Sequence, residues 1–189
     1  RIGYVFFYQT SLFFSKPLYI LEIWNGGMSF HGGLIGIIFS IYLFSIKNNV
    51  RFFYLSDLVS LVAPIGLFLG RISNFINTEL YGRITEFPLA IIYPLIDNKP
   101  RHPSQLYESL FEGLILFIIL YLYFHKSPKK YFIGSVSALF LIFYSLFRFF
   151  IEYLREPDYQ LGLFFNYFSM GQLLCAPLFF AGLIILFRK

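Results

Sequence analysis

Apolar stretches of near bilayer-spanning length recur along this chain from His31 to Phe187. None offers the polar face with which an amphipathic helix meets water. About 20 apolar residues carry a helix across the hydrocarbon core of a bilayer, where each backbone polar group must be satisfied within the segment. A buried soluble core is excluded as the alternative, because the stretches recur along the whole chain without a polar face to meet water. Composition agrees: 58% of residues are hydrophobic and 13% charged, against roughly one quarter charged in a soluble domain. The expected fold class is an all-α integral membrane protein, a polytopic helix bundle with about five transmembrane helices.

Those helices are expected at His31–Ile46, Tyr54–Gly70, Ser104–Phe124, Tyr131–Leu154 and Gly171–Phe187. Residues 1–30 read as an external-side surface or arm segment, because Pro17, Gly26 and Gly27 interrupt any single helix. Residues 31–189 then form the transmembrane bundle, with an external-side loop at 71–103. Residue 1 is Arg, and the chain reads as an N-terminally truncated piece. Lys47, Arg51, Lys126, Lys129, Lys130, Arg188 and Lys189 fall on one side of the alternating helices with no acidic residue among them. The opposite side mixes Lys16, Arg71, Arg83, Lys99 and Arg101 with Glu22, Glu79, Glu86, Asp97, Glu156 and Asp158. The positive-inside rule puts the first set in the cytoplasm. The formal charge of +5 therefore follows membrane topology and does not argue for a nucleic-acid partner.

Polar residues gather at the outward ends. His31 opens the first helix, and Gly70–Arg83 follows the second. Arg101–Glu108 opens the third, and Arg148–Asp158 ends the fourth. Arg148 and Glu152 are four apart and share a helix face, which Arg155 continues. A charge inside a bilayer costs about 2.5–3.5 kcal/mol on insertion scales. It persists where it is paired or lines a polar cavity; a cavity is the expectation for Arg148, while Arg155 reads more simply as a snorkelling end charge. Glu108 and Glu112 share a face of the third helix and serve either a structural arginine pair or the site itself. If their stretch is helical, Arg71, Asn74 and Asn77 converge on one ligand. The guanidinium fork of Arg71 suits a phosphate. His31 is either a helix-end hydrogen bonder or a general base. The glycine pairs Gly32/Gly36 and Gly66/Gly70 have the spacing of close helix contacts. Cys175, the single cysteine, excludes an intrachain disulfide and reads as a small hydrophobe in an apolar run. No cysteine–histidine metal spacing, P-loop or nucleophile elbow is present in the sequence, so no metal or other cofactor is expected.

Several segments together resemble one family. Met28–Gly36, Gly70–Arg83, Arg101–Glu108, Arg148–Asp158 and Ser169–Gln172 are similar, in this order, to motifs of the prolipoprotein diacylglyceryl transferases. The resemblance implies a seven-helix, multi-pass enzyme of the bacterial plasma (inner) membrane. Its active site would face the periplasmic or external side. It also implies two further helices and an essential tyrosine that this chain lacks. The implied reaction moves diacylglyceryl from phosphatidylglycerol, a membrane lipid, to the lipobox cysteine thiol beside a prolipoprotein signal peptide. A thioether forms and glycerol phosphate leaves. The family's important residues fall on His31, Arg71, Asn74, Glu79, Gly82, Arg148 and Glu152. Thr78 departs from the pattern, standing where the signature usually has Gly, and the loop between Pro94 and Arg101 is short.

In that chemistry a base such as His31 takes the thiol proton. Arg71 and Arg148 stabilise charge building on phosphate. Asn74 orients the headgroup, and Glu79 and Glu152 hold the arginines, or Glu79 shares the proton transfer. The expected catalytic set is His31, Arg71, Glu79, Arg148 and Glu152. The expected substrate-binding set is Arg71, Asn74, Asn77, Gly82, Arg148 and Arg155. Two rivals use the same residue types. A secondary transporter for an anion would place its arginines near the midplane between repeats, and no repeat is visible. A lipid-binding structural subunit would need the phosphate contacts but no base.

Overall fold

The computed structural model describes residues 1–8, 10–27, 30–126, 132–156 and 168–188, with backbone alone at Phe7, Tyr8, Thr10, Ser11, Phe30 and His31. Two compact units make up the chain, Arg1–Leu55 and Ser56–Lys189.

The first unit opens with short helices α1 (Ile2–Tyr8) and α2 (Thr10–Ser15) and two 3-10 turns, Pro17–Leu21 and Ile23–Asn25. Pro17 starts the first turn, and Gly26 and Gly27 follow the second at φ of 67° and 71°, a region glycine enters without steric cost. The Arg1 guanidinium lies over the Tyr19 ring at 4.6 Å and donates to the Tyr19 carbonyl at 3.1 Å, tying the start of the chain to these turns. Helix α3 (Phe30–Asn48) follows, and its end is closed by Ser45, whose hydroxyl donates to the Val50 carbonyl at 2.6 Å.

The second unit is built on α4 (Phe52–Ile76), whose first turn lies at the boundary, α5 (Ser104–Lys126), α6 (Ser135–Ile151) and α7 (Met170–Phe187). Between α4 and α5 runs a loop with two short antiparallel strands, β1 (Ile91–Ile92) and β2 (Pro100–Arg101), Ile91 opposite Arg101. Helices α4, α5 and α7 are long and apolar enough to cross a membrane, and Gly32–Asn48 and Ser135–Ile151 are shorter apolar helices. Leu116, Leu120 and Val136 are fully buried, with Leu61, Leu139, Phe143 and Phe147 packed around them. Large apolar side chains such as Leu69, Phe180 and Ile184 are exposed at 60%, 61% and 70%, as lipid-facing residues of a membrane bundle must be.

Two boundaries differ from the sequence reading. Helix α4 continues past Gly70 to Ile76 and carries Arg71 and Asn74 with it. The stretch Gly70–Ile76 is polar in part, yet its backbone still finds its partners within the helix. Helix α6 ends at Ile151, not Leu154; the chain turns there so that the Leu154 carbonyl accepts from the Arg83 amide at 2.9 Å. The expected start at Tyr131 lies outside the described residues.

Asp57, on the second turn of α4, is a buried carboxylate. It accepts from the backbone amides of Gly134 at 2.7 Å and Ser137 at 2.8 Å, and from the Ser137 hydroxyl at 2.8 Å. These amides belong to the first turn of α6, where unpaired N–H groups and the helix dipole both favour an anion. Asp57 thus caps a neighbouring helix rather than its own, and sets the register of α6 on α4. A closer contact forms between α4 and α5. A side chain on Gly113 would put its Cβ 2.6 Å from Cβ and 2.8 Å from Cα of Phe68, so only glycine lets these backbones approach. The paired spacing of Gly66 and Gly70 does not serve this purpose: among the described residues nothing lies within 4 Å of a Cβ at either position, or at Gly36.

Candidate active site

The register set by Asp57 and Gly113 gathers charged side chains from three helices. Glu108, on α5, is fully buried; its two oxygens lie 3.0 Å from Nε of Arg71 on α4 and 2.6 Å from Nη1 of Arg148 on α6. Glu112, one turn on, is also fully buried and lies 3.4 Å from Nη2 of Arg71 and 3.6 Å from Nη1 of Arg148. Glu152 closes the array: Oε2 is 2.7 Å from Nη2 of Arg148, and Oε1 accepts from the Ser169 hydroxyl at 2.8 Å. Arg155 sits 3.9 Å from Glu108 and 4.0 Å from Glu152. Three guanidiniums and three carboxylates therefore share one site and cancel in charge. Paired charges of this kind are tolerated out of water where single ones are not.

Local structure explains the placement. Residues Ser109–Ile115 form a π-helical turn within α5. Such turns interrupt an α-helix mostly at functional sites, and this one carries Glu112. Ser169 caps α7, its hydroxyl accepting from the Gln172 amide at 3.2 Å while the Gln172 side chain accepts from the Ser169 amide at 3.0 Å. The same Ser169 hydroxyl reaches Glu152, so the start of α7 and the arginine array are one structure. An apolar cleft of about 280 Å³ is lined by Phe111, Phe147, Phe150, Ile151 and Leu154; Phe111 and Phe147 are the sequence neighbours of Glu112 and Arg148.

The loop after α4 docks on the end of α6. Gly82 pairs with Arg155 in an antiparallel bridge, and its amide donates to the His102 carbonyl at 3.0 Å. A Cβ at Gly82 would fall 2.3 Å from the His102 carbonyl oxygen and 2.8 Å from that of Leu154. Arg101 clamps the loop: it donates to Asp97 at 3.2 and 2.8 Å, to Glu156 at 3.0 Å and to the Gly82 carbonyl at 3.1 Å, and lies over the Tyr81 ring at 4.9 Å. The Arg101 hydrogen bond holds the Asp97 carboxyl below its ordinary range. What that pair adds to folding is present above about pH 4, the unfolded carboxylate's range, and is lost as pH falls through the lowered native value. Burial lowers the affinity of His102 for a proton. Ser104 and Gln105 fix the loop to α5 through the Leu80 carbonyl at 2.9 Å and the Glu79 carbonyl at 2.6 Å.

Of the residues singled out from sequence, the structure brings Arg71, Arg148, Glu152 and Arg155 together. Arg155 is 7% exposed, so it does not snorkel. Asn74 is half-buried on α4, while Asn77 and Glu79 are exposed on the turn beyond it. Arg71, Asn74 and Asn77 therefore do not share one buried face, because the helix ends between the last two. Among the described residues Glu79 forms no ion pair with the arginines; Glu108 and Glu112 face Arg71 and Arg148, and Glu152 faces Arg148 as expected. Gly82 is a packing glycine, buried between two backbone segments. His31 belongs to α3 in the first unit, and its side chain lies outside the described residues. Sequence reasoning missed Asp57 and Gly113, and it placed Arg101 in a polar motif without giving it a role. An acidic residue in an apolar helix was the available signal for Asp57.

Thr78 has a φ of 59°. That left-handed conformation costs a β-branched residue roughly 1–2 kcal/mol, a cost glycine would escape. Thr78→Gly is expected to raise unfolding stability by up to about 1 kcal/mol, part of the strain relief being offset by glycine's backbone entropy. Detergent–denaturant titration of the purified protein would show it.

The sequence model of the family described as Prolipoprotein diacylglyceryl transferase matches residues 1–188. A relative from Rickettsia felis is 54% identical over 184 residues, covering 96% of this chain and 70% of its own length. Relatives from Aeromonas hydrophila and Vibrio parahaemolyticus are each 50% identical over 186 residues, 98% of this chain and 67% of theirs. All three carry the name phosphatidylglycerol–prolipoprotein diacylglyceryl transferase, and the chain spans about two thirds of the length of such relatives. A family match from end to end falls on a helical membrane chain whose arginines converge at one buried site, and the chain belongs to the prolipoprotein diacylglyceryl transferases, an integral membrane enzyme family.

Proposed function

We propose that this chain carries the phosphate-handling part of a site that transfers diacylglyceryl from phosphatidylglycerol to the lipobox cysteine thiol of a prolipoprotein. The observation that carries the reading is the pair of guanidiniums from α4 and α6 held on one buried carboxylate, Arg71 at 3.0 Å and Arg148 at 2.6 Å from Glu108. Glu108 and Glu152 fix the forks, and a phosphate diester presents the oxygens such forks bind. The thiol sulfur attacks the glycerol carbon of the diacylglyceryl group. The C–S bond forms, the C–O bond to phosphate breaks, and glycerol phosphate leaves with the extra negative charge. Arg71 and Arg148 stabilise that charge in a site shielded from water. The thiol proton passes to a base, for which His31 is our candidate. Asn74, at the outer end of α4, orients the headgroup, and Glu79 stands on the loop where the prolipoprotein arrives. The cleft beside Phe111 and Phe147 takes acyl chain.

The test is transfer of labelled diacylglyceryl from phosphatidylglycerol vesicles to a lipobox peptide by the intact protein. Thioether-linked label on the peptide cysteine is the expected result. A peptide left unlabelled while the protein still binds the lipid would favour a lipid-binding subunit instead.

We further place the protein in the bacterial inner membrane with the site facing outward, because the acid-free basic segments mark the cytoplasmic side. A cysteine at Asn98 should react with a membrane-impermeant thiol reagent in spheroplasts, and one at Lys126 should not. The reverse labelling pattern would invert the orientation.

A further inference from the structure

Glu112 is the carboxylate that the proposed reaction leaves unused. It is fully buried and sits between the two arginines that would receive phosphate. Of the carboxylate contacts to Arg71 and Arg148 its own are the loosest: 3.4 Å to Arg71 and 3.6 Å to Arg148, against 3.0 and 2.6 Å for Glu108 and 2.7 Å for Glu152. Among the described residues its Oε1 has no hydrogen-bond partner, as is also true of Glu108 Oε2 and Glu152 Oε2. It rides on the π-helical turn Ser109–Ile115, where the α-helical ladder is already interrupted. Glu108 holds both arginines, and Glu152 is anchored by Ser169 at 2.8 Å. Neither can leave without releasing a guanidinium.

We propose that Glu112 is the resting occupant of the seat between Arg71 and Arg148, and that an entering phosphate diester displaces it with uptake of one proton. The proposal rests on the phosphatidylglycerol reading above. Arg71, Arg148 and Arg155 balance Glu108, Glu112 and Glu152. A phosphate diester adds one negative charge to a site that holds none in excess. An unpaired charge out of water is costly enough that the group neutralises instead. The displaced carboxylate, its guanidinium contacts given to phosphate, is the group to do so. The groups acting on Glu112 are Arg71 from α4, Arg148 and Tyr144 from α6, Glu108 on its own helix and Cys175 from α7. Keeping Glu112 in the seat holds two arginines charged, paired and poised while no lipid is bound.

The test is the pH dependence of KM for phosphatidylglycerol, measured on the intact protein in vesicles. In the unaltered protein KM should rise about tenfold per pH unit on the alkaline limb, one proton being taken up with the lipid. Glu112→Gln removes the charge that competes with phosphate; its KM should be several-fold lower at alkaline pH and lose that slope. Glu112→Asp keeps the charge and should keep the slope. A merely structural Glu112 predicts the opposite, since Gln would loosen both arginines and raise KM. A raised KM, or an unchanged slope, in Glu112→Gln would overturn the proposal. Should Glu112→Gln fail to fold, binding of a phosphonate analogue of phosphatidylglycerol to the unaltered protein decides: one proton taken up from weakly buffered solution supports displacement, and none overturns it. An unaltered protein that transfers no diacylglyceryl would sink the functional reading; one that transfers without the alkaline slope sinks only this inference.

Discussion

Arg71→Ala and Arg148→Ala should each reduce diacylglyceryl transfer by roughly ten- to more than a hundredfold, the rate equivalent of about 1.5–3 kcal/mol for one charge-assisted contact made in the transition state. Lysine replacements separate charge from shape. Arg148 faces Glu108 and Glu152 with different nitrogens, Nη1 at 2.6 Å and Nη2 at 2.7 Å. A lysine ammonium is a single point that cannot span both while also facing phosphate. Arg148→Lys should therefore lose nearly as much as Arg148→Ala, whereas Arg71→Lys keeps more activity than Arg71→Ala. The measurement is initial rate against phosphatidylglycerol concentration, with folding checked by detergent-stable elution. An Arg148→Ala protein that folds and turns over normally would remove the arginine pair from the reaction.

The second large effect concerns stability. Glu108→Ala should destabilise the protein by about 3–5 kcal/mol, because it strips a partner from a buried ion array and leaves guanidiniums uncompensated. Glu108 is fully buried and binds arginines from two helices, so its loss is felt between α4, α5 and α6 at once. Glu79→Ala, on an exposed side chain, should change stability by no more than about 0.5 kcal/mol. Unfolding of both variants in a denaturing-detergent titration gives the comparison. Equal stabilities would mean that the carboxylates on α5 are not what holds the arginines.

Much of the molecule was legible in the chain. Continuous apolar runs lie where α3, α4, α5, α6 and α7 form, because a bilayer rewards such runs regardless of what they pack against. Pro17, Gly26 and Gly27 interrupt the first 30 residues where the sequence places the breaks. The Arg148–Glu152 contact was readable from a spacing of four, since helix geometry alone puts those side chains together, and it measures 2.7 Å. The motifs named the family.

What the sequence by itself determined was thus what the backbone repeat and the membrane decide locally: helices, their polar ends and the pairs within one helix. Only the tertiary structure decided the partners between helices. Glu79 and Glu108 are both acidic residues near the facing ends of α4 and α5. Which of them meets Arg71 depends on how far α4 extends and how deeply α5 sits against it, and neither is written in a periodicity. Glycine spacing pointed to Gly66 and Gly70, which meet nothing within 4 Å among the described residues, while α4 and α5 approach closely at Gly113, against the Phe68 backbone opposite. Arg155 reads as an end charge until α6 turns at Glu152 and buries it. The role of Asp57 as a cap exists only once the amides of Gly134 and Ser137 arrive from α6. A side chain's own helix fixes its direction, but the depth and rotation of the neighbouring helix choose what it meets, and those come from the packing of the whole bundle.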